Sequence, residues 1–256
     1  MVKLHDPRHM IEVVSALVTR DHKARYKSTA MGMVWSVATP VLFMLTFYVL
    51  FSFIIRMNIP NYASFVFTGI VAWTWLQTSL NEGVACISNN AALVSHPGFP
   101  LPTLPMVSVV SNFINFLFSL PLVLVVVELE SGSLGWTLVF LPLIMAIQAT
   151  FQLGLVYFVS AANVTFRDVQ FFLPSILQLG YFMTPIFYDL SQFPEPYRTL
   201  LSWNPMYQII HAYRAIFAGQ VPELAGPLVV LAISLLVLLL GYRYFRNAAE
   251  TFLEEI

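Results

Sequence analysis

Three observations predict an all-α integral membrane fold. Hydrophobic residues make up 58% of the 256-residue chain and charged ones only 10%, against about 25% charged in an ordinary soluble domain. Nearly charge-free apolar runs recur, most of them close to the ~20 residues a helix needs to cross the hydrocarbon core. The runs also lack the period-two alternation of a transmembrane barrel. In lipid each segment must satisfy its own backbone N–H and C=O groups, and a helix does so.

The first element precedes the membrane. Asp6-Pro7 reads as an N-cap followed by a first-turn proline. Met10, Val13, Val14, Leu17 and Val18 fall on one helical face, and Arg8, Glu12, Ser15 and Thr19 on the other. Residues 1–27 are thus expected to form an amphipathic helix lying in the membrane interface, the alternative being a helix packed on protein. The helix ends in a dense basic cluster, Arg20, Lys23, Arg25 and Lys27, after which no charge occurs until Arg56.

Residues 28–256 read as one six-helix transmembrane domain, with spans near 31–55, 62–80, 106–127, 138–162, 169–188 and 228–244. Six crossings bring both termini to one side, with the loops around 81–105 and 163–168. That side collects Lys3, Arg8, the Arg20–Lys27 cluster, Arg167, Arg243 and Arg246, whereas the other holds only Arg56, Arg198 and Arg214. The positive-inside rule then makes both termini cytoplasmic and the basic cluster a topology anchor. Residues 189–226, between the fifth and sixth spans, are long for a simple connection. YRTLLSW and NPMYQIIHAYRAIFAG within them read as two short re-entrant helices dipping into the outer leaflet. Asn204-Pro205 starts the second helix and Gly219 stops it. Met206, Ile209, Ile210, Tyr213, Ile216 and Phe217 form its apolar stripe. A lid over a passage and an interfacial anchor are both consistent with that pattern.

What is missing narrows the chemistry. Net charge is −1, so no bulk attraction to nucleic acid is implied. Cys86 is the sole cysteine, which leaves no internal disulfide and argues against a cysteine-ligated metal cluster; a buried thiol is expected. The N-terminus is polar, and no cleavable signal peptide is expected. No GxxxxGK[ST] phosphate loop and no HExxH occur, and the five histidines show no ligand spacing. The spans hold almost no ionisable side chain, which disfavours a proton-driven pump.

The spans carry uncharged polar and aromatic groups instead. Ser108, Ser111, Asn112, Asn115 and Ser119 repeat at helical spacing in the third, and Gln148 and Gln152 lie one turn apart in the fourth. Trp73, Trp75 and Gln77 belong to the second, Gln178 and Tyr181 to the fifth. Helix packing through interhelical hydrogen bonds is one reading. The other is a path for a bulky neutral polymer, since hydroxyls and amides exchange hydrogen bonds with sugars and aromatic faces stack on sugar C–H faces.

Four stretches carry a resemblance: RDHKARYKSTAMGMVWSVATP, GIVAWTWLQTSLNEG, NVTFRDVQFFLPSILQLGYFMTPIFY and WNPMYQIIHAYR. In this order, and over nearly the whole chain, they resemble the permease subunits of bacterial polysaccharide ABC exporters of type-2 topology, which export O-antigen, capsule and teichoic-acid polymers. The first stretch is most similar to the O-antigen and teichoic-acid permeases. The resemblance implies a homodimer lining one passage and two separate ATP-binding cassette subunits below it. ATP and Mg would be held by those partners, with no cofactor and no catalysis on this chain. It implies a polyprenyl-pyrophosphate-linked polysaccharide as substrate, O-antigen first, taken from the cytoplasm across the bacterial inner (plasma) membrane.

The same resemblance suggests site roles. Arg20, Lys23, Arg25 and Lys27 lie at headgroup depth, suited to the pyrophosphate. Trp73, Trp75, Gln77, Ser108, Ser111, Asn112, Asn115, Gln148, Gln152 and Tyr181 become glycan-path candidates. Leu93, His96, Phe99, Leu101, Arg167 and Asp168 become candidates for coupling to the ATPase, and Asn204, Tyr207, His211 and Arg214 for an outer gate. The loop NNAALVSHPGFPLPTLP departs from the family in carrying no Lys or Arg, so shape complementarity through Leu93, Phe99 and Leu101 stands as an equal alternative to coupling by a salt bridge from this loop.

Rival readings are a type-2 exporter of drugs or small lipids, a membrane-embedded lipid- or sugar-modifying enzyme, and a structural scaffold. The enzyme would need converging acid and base groups, and neither Glu128, Glu130 nor Asp168 has an evident partner in the sequence. The scaffold does not explain the re-entrant segment.

Overall fold

The structure, a computed structural model, describes residues 7–26, 34–50, 59–250 and 252. Among these residues there are ten α-helices, joined by short 3-10 turns, and no β-strand. They are α1 (Pro7–Tyr26), α2 (Val34–Val49), α3 (Tyr62–Gly83), α4 (Ala91–Val94), α5 (Thr103–Ser131), α6 (Leu141–Thr165), α7 (Val169–Met183), α8 (Glu195–Ser202), α9 (Pro205–Phe217) and α10 (Ala225–Ala248).

Among the described residues, three segments are long and apolar enough to cross a membrane: Thr103–Ser131, Trp136–Thr165 and Ala225–Ala248. At a 1.5 Å rise even the shortest, of 24 residues, reaches about 36 Å, past a hydrocarbon core of about 30 Å. On α10, Leu228, Val229, Leu235, Leu236, Leu239 and Leu240 are all exposed, the expected dress of a lipid-facing helix.

The second expected span behaves differently. Every residue from Val66 to Trp73 on α3 is buried, because α2, α5, α6, α7 and α9 all pack around it. A helix buried on all sides lies at the centre of its bundle. Its Thr, Trp and Gln side chains therefore meet protein, and its lower apolarity follows from that position.

The fifth span is shorter than the sequence suggests. A helix was expected over 169–188, but α7 ends at Met183, with Thr184 extended at φ −84 and ψ 134. Pro185 causes this, since its ring disfavours the helical region for the residue before it. Fifteen helical residues reach only about 22 Å. The bend that follows, residues 184–188, needs partners for its carbonyls from elsewhere.

α6 and α10 form the most extensive helix pair. A Cβ on Gly154 would come within 2.6 Å of the Leu238 backbone nitrogen, and one on Gly241 would run into the Gly154 carbonyl. The two backbones are in contact there, and only glycine permits it.

The bundle has two distinct ends. The terminal end gathers Leu17 of α1, the turn around Cys86 and Ile87, and Phe245 and Phe252 near the C-terminus in one apolar cluster. α1 packs Val14, Leu17 and Val18 onto Val107 and its neighbours on α5, while Arg8, Glu12, Ser15 and Thr19 stay exposed. The opposite, cap end holds α8, α9 and the loop after α5. The two short helices expected between the last spans are α8 and α9. Asn204 accepts a hydrogen bond from the Met206 N–H at 2.9 Å, Pro205 fills the first turn, and Gly219 follows at φ +71. The apolar stripe from Met206 to Phe217 is buried.

Candidate functional site

At the terminal end, α1, α3, α5 and the Ser88–Asn90 turn enclose a cavity of about 630 Å³. Its polar lining comprises Arg20, Asp21, Asn81, Glu82, Asn89, Asn90 and Ser108. Arg20 donates to Asp21 Oδ1 and to Asn90 Oδ1, the latter at 3.2 Å, and remains half exposed. Lys23 is exposed nearby. Of the remaining basic-cluster residues expected here, Lys27 and the Arg25 side chain lie outside the described residues.

A polar ladder leads from this cavity along α5. Asn112 Nδ2 donates to Glu82 Oε2 at 2.7 Å and to the Ser108 carbonyl at 2.9 Å. Asn115 donates to Asn112 Oδ1 at 3.3 Å, and the Ser119 hydroxyl to the Asn115 carbonyl at 3.1 Å. Ser111 lies buried on the same helix, its hydroxyl without a hydrogen bond among the described residues. Ser111 apart, the stripe legible in the sequence is thus one connected chain, and Glu82 on α3 anchors it.

The aromatic path candidates sit in the core of the chain. Trp75 is buried against Phe113 and Phe116, with centroids 5.0 and 4.9 Å away, and donates to the Val109 carbonyl. Trp73 packs on Tyr181 at 5.9 Å, its indole N–H buried and unpaired among the described residues. Gln77 is half-buried. Gln148 donates to the Ala72 carbonyl at 2.8 Å, whereas neither polar atom of the fully buried Gln152 is hydrogen-bonded among the described residues. Each such unpaired buried group costs roughly 1–3 kcal/mol, so Trp73, Ser111 and Gln152 hold unspent hydrogen-bonding capacity.

Among the coupling candidates, Leu93, Phe99 and Leu101 are half-buried against the apolar cluster at the terminal end, and His96 is exposed. Arg167 and Asp168 are exposed in the turn between α6 and α7. The first turn of α7 takes its side-chain acceptor from Asn163, which receives the Gln170 N–H at 3.0 Å.

The cap end is closed by side chains bonded to distant backbone. Arg214 gives its Nε–H to the Phe65 carbonyl at 3.1 Å, and its two terminal nitrogens to the Pro185 and Ile186 carbonyls, both at 2.9 Å. These last two belong to the bend after α7. The guanidinium lies 3.4 Å from the Phe65 ring centroid, a close cation–π contact. Burial lowers its pKa to about 9, against the pull of Tyr207, Asp189 and Tyr62, so it stays charged at neutral pH.

Around Arg214, Tyr62 donates to the Phe187 carbonyl and Asn204 Nδ2 to the Thr184 hydroxyl. Ser133 and Thr137 donate to the Phe217 and Ile216 carbonyls at the end of α9, both at 2.8 Å. Glu130 accepts the Ala63 and Ser64 N–H groups at 3.2 and 2.7 Å, capping the start of α3 with a charge of the favourable sign. Tyr207 and His211, the other gate candidates, have ring centroids 5.7 Å apart.

Sequence reasoning overlooked Glu82, Glu130 and Asn163 as partners. Half of the first pair was legible, since Asn112 stood in the polar stripe. No local signal links Glu130 to residues 63 and 64, more than sixty positions away.

Residues 12–218 match the family model described as "ABC-2 type transporter". The chain is 39% identical over 245 residues to the O-antigen export system permease protein RfbA of Myxococcus xanthus, covering 94% of each chain. It is 30% identical over 211 residues to the permease of the same name from Klebsiella pneumoniae, covering 82% of this chain and 81% of that one. The polysialic acid transport protein KpsM of Escherichia coli is 24% identical over 248 residues, covering 94% and 95%.

Proposed function

The chain belongs to the ABC-2 type transporter family, and from that premise we propose that it is the membrane permease of a polysaccharide exporter, with O-antigen as cargo. The observation that carries this reading is the 39% identity to an O-antigen export permease over 94% of both chains. The cavity at the terminal end and the Glu82–Asn112–Asn115 ladder support it: beside the charged Arg20, Asp21 and Glu82 they offer amides and a serine of the kind a glycan's hydroxyls use.

In this reading the chain crosses the bacterial inner membrane six times, as one domain after the α1 region, with both termini in the cytoplasm. α1 lies in the interface, and α8 and α9 are re-entrant in the outer leaflet. Two copies enclose the passage, because one bundle with a filled centre has no room for a sugar chain. ATP and Mg are held by two separate cassette subunits that dock at the α4 turn, with His96 and the Arg167–Asp168 turn at the contact. Arg20 and Lys23, with Arg25 and Lys27, receive the pyrophosphate of a polyprenyl-linked glycan. Trp73, Ser111 and Gln152 are path residues with hydrogen-bonding capacity left to offer, and Trp75, Gln77, Ser108, Asn112, Asn115, Gln148 and Tyr181 shape the wall around them. Asn204, Tyr207, His211 and Arg214 form the outer gate. A second reading, capsule export, draws on the weaker similarity to the polysialic acid transporter.

Purification from native membrane followed by an ATPase assay in lipid, with and without polyprenyl-pyrophosphate glycan, tests the proposal. The expected outcome is a co-purifying nucleotide-binding subunit whose turnover rises with the glycolipid. An ATPase that ignores glycolipid and responds to apolar drugs overturns it, as does the absence of any ATPase partner.

A further inference from the structure

A second cavity, of about 240 Å³, lies at the cap end beside Arg214. It is smaller than the roughly 300 Å³ at which drug-sized pockets begin, and fits one small ring. Its functional lining is Tyr188, Asp189, Tyr207, His211 and Arg214. The charges balance: Arg214 is opposed by Asp189, and Arg214 already serves three carbonyls and the face of Phe65. His211 stands exposed at the mouth. The atoms covering its inner side, and then the Arg214 charge, lower its pKa, so its imidazole is neutral near pH 7 and offers one donor and one acceptor.

Asp189 is held ready. Its Oδ1 accepts the Ser191 N–H at 3.1 Å and its Oδ2 the Ser191 hydroxyl at 2.7 Å. Each oxygen keeps a further lone pair, so a fixed carboxylate can take two adjacent hydroxyls. Neither the Tyr207 hydroxyl nor the His211 ring makes a hydrogen bond among the described residues, although both line a polar cavity. An aromatic ring with a negative face suits the weakly positive C–H face of a pyranose.

We propose that this cavity is a subsite for a single neutral sugar ring, stacked on Tyr207 and hydrogen-bonded by Asp189 and His211. The inference rests on the export reading, which supplies both the glycan and the outward orientation. It adds a place where the emerging chain is gripped one residue at a time. An acidic sugar bound on the same contacts would bring its carboxylate against the Asp189 charge, so the site selects against it.

Saturation-transfer NMR on the complex in nanodiscs tests this, with D-mannose, D-galactose and L-rhamnose as neutral probes and D-glucuronate as the charged one. Transfer to the ring C–H protons of at least one neutral sugar is expected. Binding should be at least tenfold weaker in Tyr207→Ala and in Asp189→Asn, and retained in Tyr207→Phe, which keeps the ring. No transfer from any neutral sugar, or equal transfer in all variants, overturns the subsite; preference for glucuronate overturns its neutral selectivity. Glycolipid-stimulated ATPase of the same wild-type preparation is read in parallel. If stimulation is present and sugar binding absent, the subsite alone fails; if stimulation is absent, the export reading fails whatever the sugars do.

Discussion

Arg214 at the cap end and Arg20 at the terminal end carry the same side chain to opposite uses. Arg214 bonds three backbone carbonyls drawn from α3 and from the break after α7, with its charge under the Phe65 ring. Arg20 bonds its chain neighbour Asp21 and, across the cavity, Asn90, and stays half exposed. The first guanidinium replaces a helix ladder that Pro185 interrupts, and removing it strands several polar groups at once. The second is held by a surface pair of the kind worth about 0–1 kcal/mol, which a stronger anion can displace. Arg214 is built to hold the backbone around it in one shape, and Arg20 to exchange its partner.

Substituting Arg214→Met is the strongest test of that contrast. Three carbonyls lose their donor, and about 3–5 kcal/mol of stability should go with it. The loss would appear as a large fall in folded yield and thermal midpoint in detergent. Arg214→Lys should recover only part, since one compact ammonium cannot reproduce the planar fork. A fully stable Arg214→Met protein would remove the cap half of the comparison.

Gly219→Val should cost roughly 2 kcal/mol by the same measurement, because φ is +71 and a Cβ would sit 2.6 Å from the Ser133 carbonyl oxygen. Glu130→Gln keeps an acceptor but loses the charge at the start of α3, and about 1 kcal/mol is expected. Arg20→Ala should change stability by less than about 0.5 kcal/mol while lowering glycolipid-stimulated ATPase about tenfold. If stability falls and stimulation survives, Arg20 is a structural residue and the terminal half of the comparison fails.

Much of the fold was legible because lipid enforces simple rules. Apolar run length located α5, α6 and α10, and the Asn204-Pro205 and Gly219 signals placed α9 within a residue or two. The amphipathic pattern of residues 7–19 predicted which face α1 buries, though its partner, α5, was not readable. The site was legible in part. The Ser108–Ser119 stripe was visible as a spacing, and its anchor Glu82 was not, because a hydrogen bond between two helices leaves no period in either. Run length also overestimated α7, since hydropathy does not register what a proline does to the residue before it.

By itself the sequence determined the membrane class, the main helices, the basic cluster and the family, since these depend on composition, local periodicity and motif order. Only the tertiary structure decided that α3 is the buried centre, that Arg214 completes the backbone of the broken segment after α7, and that Glu130 caps a helix more than sixty residues before it. Those outcomes depend on which surfaces meet, and contacts between distant segments are selected by packing and by the cost of leaving a buried polar group unpaired.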